Sequence, residues 1–383
     1  MVKIINACTM EIDDPEAAVR EILVQLDLDQ RWPRNAVGLI ACHADYLESG
    51  AVKALCEALP FDVVGCTTLG SSVNGEYGME LLSLSVLTGE EERFSTVFSA
   101  EISPGGVEAV QALYRSAGTE KAALILAYAP WYSAMGGPAI LEALNRSSGG
   151  TPVFGALACY HTSPLSNSRV IYNGEAYKDG LALVLIRGNI KPRFFITAIP
   201  GNKIQKQAAV ITKSEGCVVQ QINETTPLEY FDSLGLISGE KIPIGKIMPL
   251  IVKYNDGTEA VARGIYDLTP EGYMVCGGEM PEQATFAMGT LDYNGIIETA
   301  ESTVTRALEA APKDGGCLLM FPCFSRGMAL GPNADHELRK VVSLAGGKPY
   351  HLCYAGGELC PVSDEEGAFL NRFHNFTFTI CAL

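Results

Sequence analysis

The sequence predicts an α/β protein. Repeated β-α-β-α-β-β units form layered mixed sheets, and a mostly antiparallel α+β section lies between the second unit and the third. Three observations carry this expectation. The segments 36–89, 122–188 and 317–383 pass through the same order of events. Within them short β-branched runs alternate with helical stretches, which implies layered α/β sheets. The stretch 190–284 breaks the alternation and reads as hairpins.

Each unit opens on an apolar run of strand length, at 37–42, 122–128 and 317–321. A polar or glycine-containing loop and a helical stretch follow, the latter with 3.6-residue spacing. Each unit returns through a strand that runs into glycine ("VVGC", "VFGA", "YAGG") and closes on "LLSLSVL", "LALVLI" or "TFTICAL". Upstream of each stands a further strand and helix: "KIINACT" with 15–28, "FSTVFSAE" with 105–116, and "ATFAMGT" with 294–311. In the last helix Ile296, Ala300, Val304 and Leu308 recur every four residues and make one face apolar. The units are expected to be equivalent, with Gly65, Gly155 and Gly356 at matching strand ends. In the middle section Ser214-Glu215-Gly216 marks a hairpin turn, and Thr226-Pro227 opens a short helix, where proline is well placed. "IMPLIVKY" and "EAVARGIY" flank Asn255-Asp256-Gly257, a hairpin signal. No low-complexity linker separates these parts, so they are expected to pack closely.

Bulk properties exclude several classes. The chain has 383 residues, 28 basic and 44 acidic, for a net charge of −16. An acidic surface repels phosphate backbones, and the basic residues are scattered, so neither nucleic acid nor an anionic membrane is an expected partner. No window approaches the ~18 unbroken apolar residues of a membrane span. The start, "MVKIINACTMEIDDPE", shows no secretory pattern, so a cytoplasmic location is expected. The 12 cysteines contain no CxxC pair, and most sit in apolar runs. They read as reduced structural thiols. No metal and no cofactor is expected.

The stretch "MFPCFSRGMALG", 320–331, ends an apolar run in a proline, a thiol, a hydroxyl, a guanidinium and a glycine. Ligands of open α/β sheets bind beyond the carboxyl ends of strands. Cys323, Ser325 and Arg326 are therefore candidate ligand-binding residues. Arg326 would clamp a carboxylate, or else pair with an internal acid such as Glu358. Its position beyond the strand predicts that its loss spares the fold. Gly356, Gly357 and Glu358 follow the next strand. There Glu358 would accept an ammonium group, or the glycines simply make a turn. An Arg–Glu pair facing one cleft suits a zwitterion. Cys66, Thr67 and Thr68 form the first unit's version of the site. The second unit, with Gly155-Ala156 and no polar group before Cys159, Tyr160 and His161, reads as a turn alone. His43 and Asp45 lack the further ligands of a metal site. His374 reads as a core or edge histidine. Trp131 and Tyr132 wall a pocket, anchor a partner or pack.

With these motifs in order, the chain resembles the FIST-domain family, a prokaryotic sensory family also found beside F-box modules in eukaryotes. "FDVVGCTTLGS" and "TPVFGALACYHTS" carry the likeness to the N-terminal FIST part. "ITKSEGCVVQQINETTPLEYF", "LLMFPCFSRGMALG", "YAGGELCPV" and "FHNFTFTICAL" carry it to the C-terminal part. The resemblance implies a FIST N-like domain over 1–190, with two units, and a FIST C-like domain over 191–383, with the middle section and the third unit. It implies an intracellular signal-input protein that binds a small ligand, an amino acid or related metabolite. The chain ends at the last FIST strand, so signalling through a protein partner is expected. No catalytic residue follows from the resemblance. The alternative reading is a cysteine-dependent enzyme with Cys323 as nucleophile, activated by the cation of Arg326.

Overall fold

The structure is a computed structural model that describes residues 2–27, 35–131, 135–160, 167–237, 248–312, 316–364 and 366–383. Tyr132 and His161 lie outside the described residues. Three six-stranded sheets share one connectivity. The first runs Lys3–Thr9, Leu82–Thr88, Ala36–Cys42, Val63–Thr67, then the hairpin Val170–Tyr172 and Glu175–Tyr177. The second runs Arg93–Ser99, Leu181–Arg187, Leu124–Pro130, Val153–Ala158, then the hairpin Glu358–Ser363 and Phe369–His374. The third runs Arg193–Thr197, Phe378–Ala382, Leu318–Pro322, Tyr350–Cys353, then the hairpin Ser71–Val73 and Glu76–Gly78. In each sheet the two central strands are parallel. In each, the last two strands come from a different part of the chain.

Helices cover the outer face of each sheet, and the inner faces meet. Leu39 and Cys66 of the first sheet, Leu126 and Phe154 of the second, and Leu319 and Phe321 of the third belong to one buried cluster. Separate clusters hold the helices on. Ile22 of helix Pro15–Leu26 packs on the first sheet, Leu144 of Gly136–Ser148 on the second, and Val304 of Tyr293–Ala310 on the third. Alternate residues of a strand point to opposite faces, so strands buried on both sides read as continuous apolar runs.

The middle section forms a fourth, seven-stranded sheet. All of its pairings are antiparallel. Leu250 pairs with Arg263 across the hairpin signalled by Asp256-Gly257. Thr226 caps helix Pro227–Ser233 with a reciprocal capping box to Glu229. The section is inserted between Arg193–Thr197 and Tyr293–Ala310. "ATFAMGT", expected to open the third unit, instead supplies Thr285–Gly289 to this fourth sheet, and Arg193–Thr197 is the outer strand of the third. Both strands precede the same helix, and alternation alone does not say which sheet each one joins.

The glycine equivalence holds for two positions, not three. Gly65 lies opposite Ile40 and Gly155 opposite Ala127. The matching residue in the third sheet is Leu352, opposite Met320, and Gly356 falls beyond the strand. Gly65 and Gly155 are required by close approach. A Cβ on Gly65 would lie 1.7 Å from the Ile40 carbonyl oxygen, and one on Gly155 would lie 2.0 Å from that of Ala127. Both obstacles are backbone, which cannot swing aside. Gly155→Ala is therefore expected to destabilise the protein by at least ~3 kcal/mol, read from urea denaturation. A loss below about 1 kcal/mol would show that the sheet can open at this point.

Candidate functional site

Strand Leu318–Pro322 delivers Cys323 to the N-cap of helix Phe324–Leu330. The Cys323 amide donates to the Thr377 carbonyl at 2.8 Å, and Cys323 bridges in parallel to Ala355. The thiol is buried, with the Ser325 amide and hydroxyl turned to it. Burial, and then the Glu358 carboxyl, push the Cys323 thiol well up from its ordinary range. A nucleophilic thiolate needs the opposite shift.

Arg326 does not supply the missing cation to Cys323. It is fully buried and forms an ion pair with Glu337. Nε and Nη2 donate to Glu337 Oε1 at 2.8 and 2.6 Å. Nη1 donates to the carbonyls of Ala198 and Phe376, and Nη2 also to that of Ile296 and to Thr299 Oγ1. The second Glu337 oxygen accepts the Tyr354 hydroxyl at 2.8 Å. Every guanidinium N–H thus has a protein acceptor, and none is left for a ligand carboxylate. Glu337 carries a readable signal. It precedes Val341 and Ala345 by four and eight residues, on the buried face of helix Asp335–Ala345.

Glu358, the other half of the expected pair, is also fully buried. Its Oε2 accepts the Thr377 hydroxyl at 2.6 Å, and its Oε1 has no hydrogen-bond partner among the described residues. Burial raises its pKa to about 8, against the smaller opposing effects of Thr377, Cys323 and Arg326. Arg326, Cys323 and Glu358 are therefore neighbours, gathered in a packed interior rather than around an open cleft. Gly356 and Gly357 are packing glycines. A Cβ there would lie 2.9 Å from the Trp131 side chain and 2.4 Å from that of Phe373, respectively.

The first unit's residues meet this cluster from the other side. Thr68 Oγ1 lies 2.8 Å from the Tyr354 carbonyl and 2.9 Å from that of Gly70. The Thr67 amide donates to the Arg169 carbonyl, and its hydroxyl oxygen accepts the Arg169 amide. Cys159 donates from Sγ to the Tyr354 carbonyl and is raised by burial, Cys66 and Glu358. Cys66, Thr67 and Thr68 are all buried. Among the described residues no group of three or more His, Cys, Asp and Glu is placed to hold a metal.

The open polar space lies elsewhere. A cavity of about 150 Å3 sits between helix Gly136–Ser148, strand Phe369–His374 and the inserted sheet. Arg263 and Arg372 line it, with Glu142, Asn145, Glu279 and Asn371. Arg263 is 2% exposed. Its donors go to the carbonyls of Glu279, Ala262 and Phe373 and to the Tyr254 hydroxyl, and it has no acidic partner among the described residues. Arg372 pairs with Asp256, while its buried Nε is unpartnered among the described residues. Both guanidiniums lie over the Tyr254 ring, 5.8 and 5.0 Å from its centre. The sequence gives little warning of this pair, because the two arginines are 109 residues apart and each sits in a strand of ordinary composition.

Two predictions follow from the buried acids. Removing one member of a buried ion pair costs about 3–5 kcal/mol. Arg326→Ala should therefore lose about that much stability in urea, against the sequence expectation that the fold is spared; a loss under 1 kcal/mol would contradict the bond network. Glu358 has a folded pKa near 8, above its unfolded value, so the folded state holds the extra proton. Its contribution is fully present below the unfolded pKa and is lost as pH rises through about 8. The stability of Glu358→Gln relative to the native protein should rise between pH 5 and 8.5, by up to about 1.4 kcal/mol per pH unit. A pH-independent difference would refute the shift.

Comparison with known proteins places this architecture. The FIST N domain matches residues 36–225 and the FIST C domain matches residues 228–361. An uncharacterized protein of Mycobacterium bovis is 24% identical over 177 residues, 44% of this chain and 45% of that one. An uncharacterized protein of Mycobacterium tuberculosis is 23% identical over 247 residues, 62% of each. The chain thus spans roughly half the length of the curated relatives it matches. Among solved structures, a cyanuric acid hydrolase from A. caulinodans matches 49% of this chain and 72% of its own, at 13% identity and a TM-score of 0.26. No helix among the described residues is long and apolar enough to cross a membrane. FIST domains are sensory and signal-transduction domains, and with both parts matched along most of its length this chain belongs to the FIST family.

Proposed function

We propose that the protein is a cytoplasmic sensory protein that binds an amino acid, or a close metabolic relative, in the cavity lined by Arg263 and Arg372, and signals by contact with a protein partner. The observation that carries this reading is the charge of Arg263. A guanidinium held at 2% exposure with no carboxylate paired to it among the described residues is costly, and an anion in the cavity offsets that cost. Arg372 adds a second cation on the same aromatic ring and an unspent Nε–H. Together they suit a carboxylate. Glu279, exposed on the same lining, is an acceptor for an ammonium group. The chemistry expected of Arg326 and Glu358 is thus available from other residues. A volume near 150 Å3 suits a small amino acid.

The test is calorimetric titration of the 20 amino acids into the native protein, Arg372→Gln and Asp256→Asn. At least one amino acid should bind saturably. Arg372→Gln should weaken it about ten-fold or more, since a charge-assisted hydrogen bond contributes ~1.5–3 kcal/mol. Asp256→Asn breaks the same surface pair but keeps the guanidinium, and should retain binding. Binding that is equal in all three proteins, or no binding at all, would sink this reading.

A further inference from the structure

On the other side of strand Val261–Arg263 lies a second cavity, also of about 150 Å3, lined by Ala262 where the first is lined by Arg263. Successive residues of a strand face opposite ways, so the two cavities stand back to back. The second is walled largely by aliphatic side chains, among them Ile196, Ile199, Ile251 and Val362. Its polar features are few, and two of them are unsatisfied.

His374 lines this cavity and is fully buried. Its Nε2 lies 2.9 Å from the Cys360 carbonyl. A carbonyl only accepts, so Nε2 carries the hydrogen and Nδ1 is left as a bare acceptor. Nδ1 has no partner among the described residues, nor does the buried Thr197 hydroxyl, which lines the same cavity. Burial, followed by the nearby Arg263 charge, lowers the His374 pKa to about 3, so the ring stays neutral at physiological pH. No lysine or arginine lines the cavity, and its acid, Glu259, is exposed.

We infer that this second cavity is a binding site for a small, neutral, largely apolar molecule that donates an O–H or N–H to His374 Nδ1. The aliphatic walls supply the contact area, and the imidazole acceptor with the Thr197 hydroxyl sets orientation, the usual division of labour in small-molecule sites. An anion would find no cation on these walls. A purely apolar molecule would leave both buried polar atoms unpaired, so a donor is selected over its isostere. The inference does not depend on the amino acid reading, because it uses a different cavity and a different chemistry.

Phenol, toluene and benzoate are suitable probes, being of one ring size and differing only in polar group. They are titrated into the full chain labelled with 15N in the histidine rings. Phenol should bind saturably and move the Nδ1 resonance of His374 upfield, as a hydrogen bond to a bare imidazole nitrogen does. Toluene should bind about ten-fold more weakly or worse and leave Nδ1 in place, and benzoate should not bind. Thr197→Val should weaken phenol and spare toluene. If phenol fails to saturate, fails to move Nδ1, or is matched by toluene or benzoate, the assignment is overturned. The decisive readout is on the native protein, so it does not depend on a variant folding. It is also blind to whether any amino acid binds beside Arg263.

Discussion

None of the three six-stranded sheets can be completed by the segment that begins it. The hairpin at 71–78 closes the third sheet, the one at 170–177 closes the first, and the one at 358–374 closes the second. Each exchange is fixed by register: Ser71 opposite Cys353, Val170 opposite Cys66, Glu358 opposite Ala156. A sheet edge is a row of unpaired amides and carbonyls, and in each sheet the free side of the second parallel strand is covered by a hairpin of the next unit, in a closed cycle. The common apolar cluster between the sheets can form only when all three are in place. Much of the fold is therefore non-local, and its parts are expected to gain stability together rather than one by one.

The Arg326–Glu337 pair ties the third sheet to the two ends of the insertion. Its hydrogen bonds reach Ala198 at the exit of Arg193–Thr197, Ile296 and Thr299 in helix Tyr293–Ala310, Tyr354 after the parallel strand, and Phe376 before the closing strand. Ala198 is where the chain leaves for the insertion, and Ile296 lies just after its return. One guanidinium thus fixes both ends of the excursion that leaves at Ala198 and returns before Ile296, which a smaller or uncharged side chain could not span.

The sequence discloses element types well and partners poorly. The helix start at Thr226-Pro227 is legible because a cap is a local device, and the turns at Gly216 and Asp256-Gly257 are legible for the same reason. The recurring order of strands and helices was legible because burial on both faces writes continuous apolar runs. Hairpin exchange was not, since a strand's composition does not name the strand it joins. The same limit applies to the charged groups. Arg326 lies near Glu358, yet its ion-pair partner is Glu337, on a helix whose acid looks like any solvent-facing residue until its spacing from Val341 and Ala345 is counted. Arg263 and Arg372 share the Tyr254 ring only because the inserted sheet lies against the exchanged hairpin.

That junction explains why the asymmetry of the molecule sits where it does. At one register position of the three sheets stand Ser71, Val170 and Glu358, so equivalent backbone carries a hydroxyl, an aliphatic group and a carboxyl. The carboxyl occupies the hairpin that touches the inserted sheet, the one section without a counterpart in the other units. Arg372 and Phe373 of that hairpin line one cavity, and Val362 and His374 line the other. Thr377, which donates to Glu358, lines the second cavity as well. Where the three sheets meet, their inner faces close on a common apolar cluster. Open volume with unspent hydrogen-bonding atoms arises where the insertion interrupts the recurrence, and the two cavities are separated by a single strand whose Arg263 charge is felt by His374 on the far side.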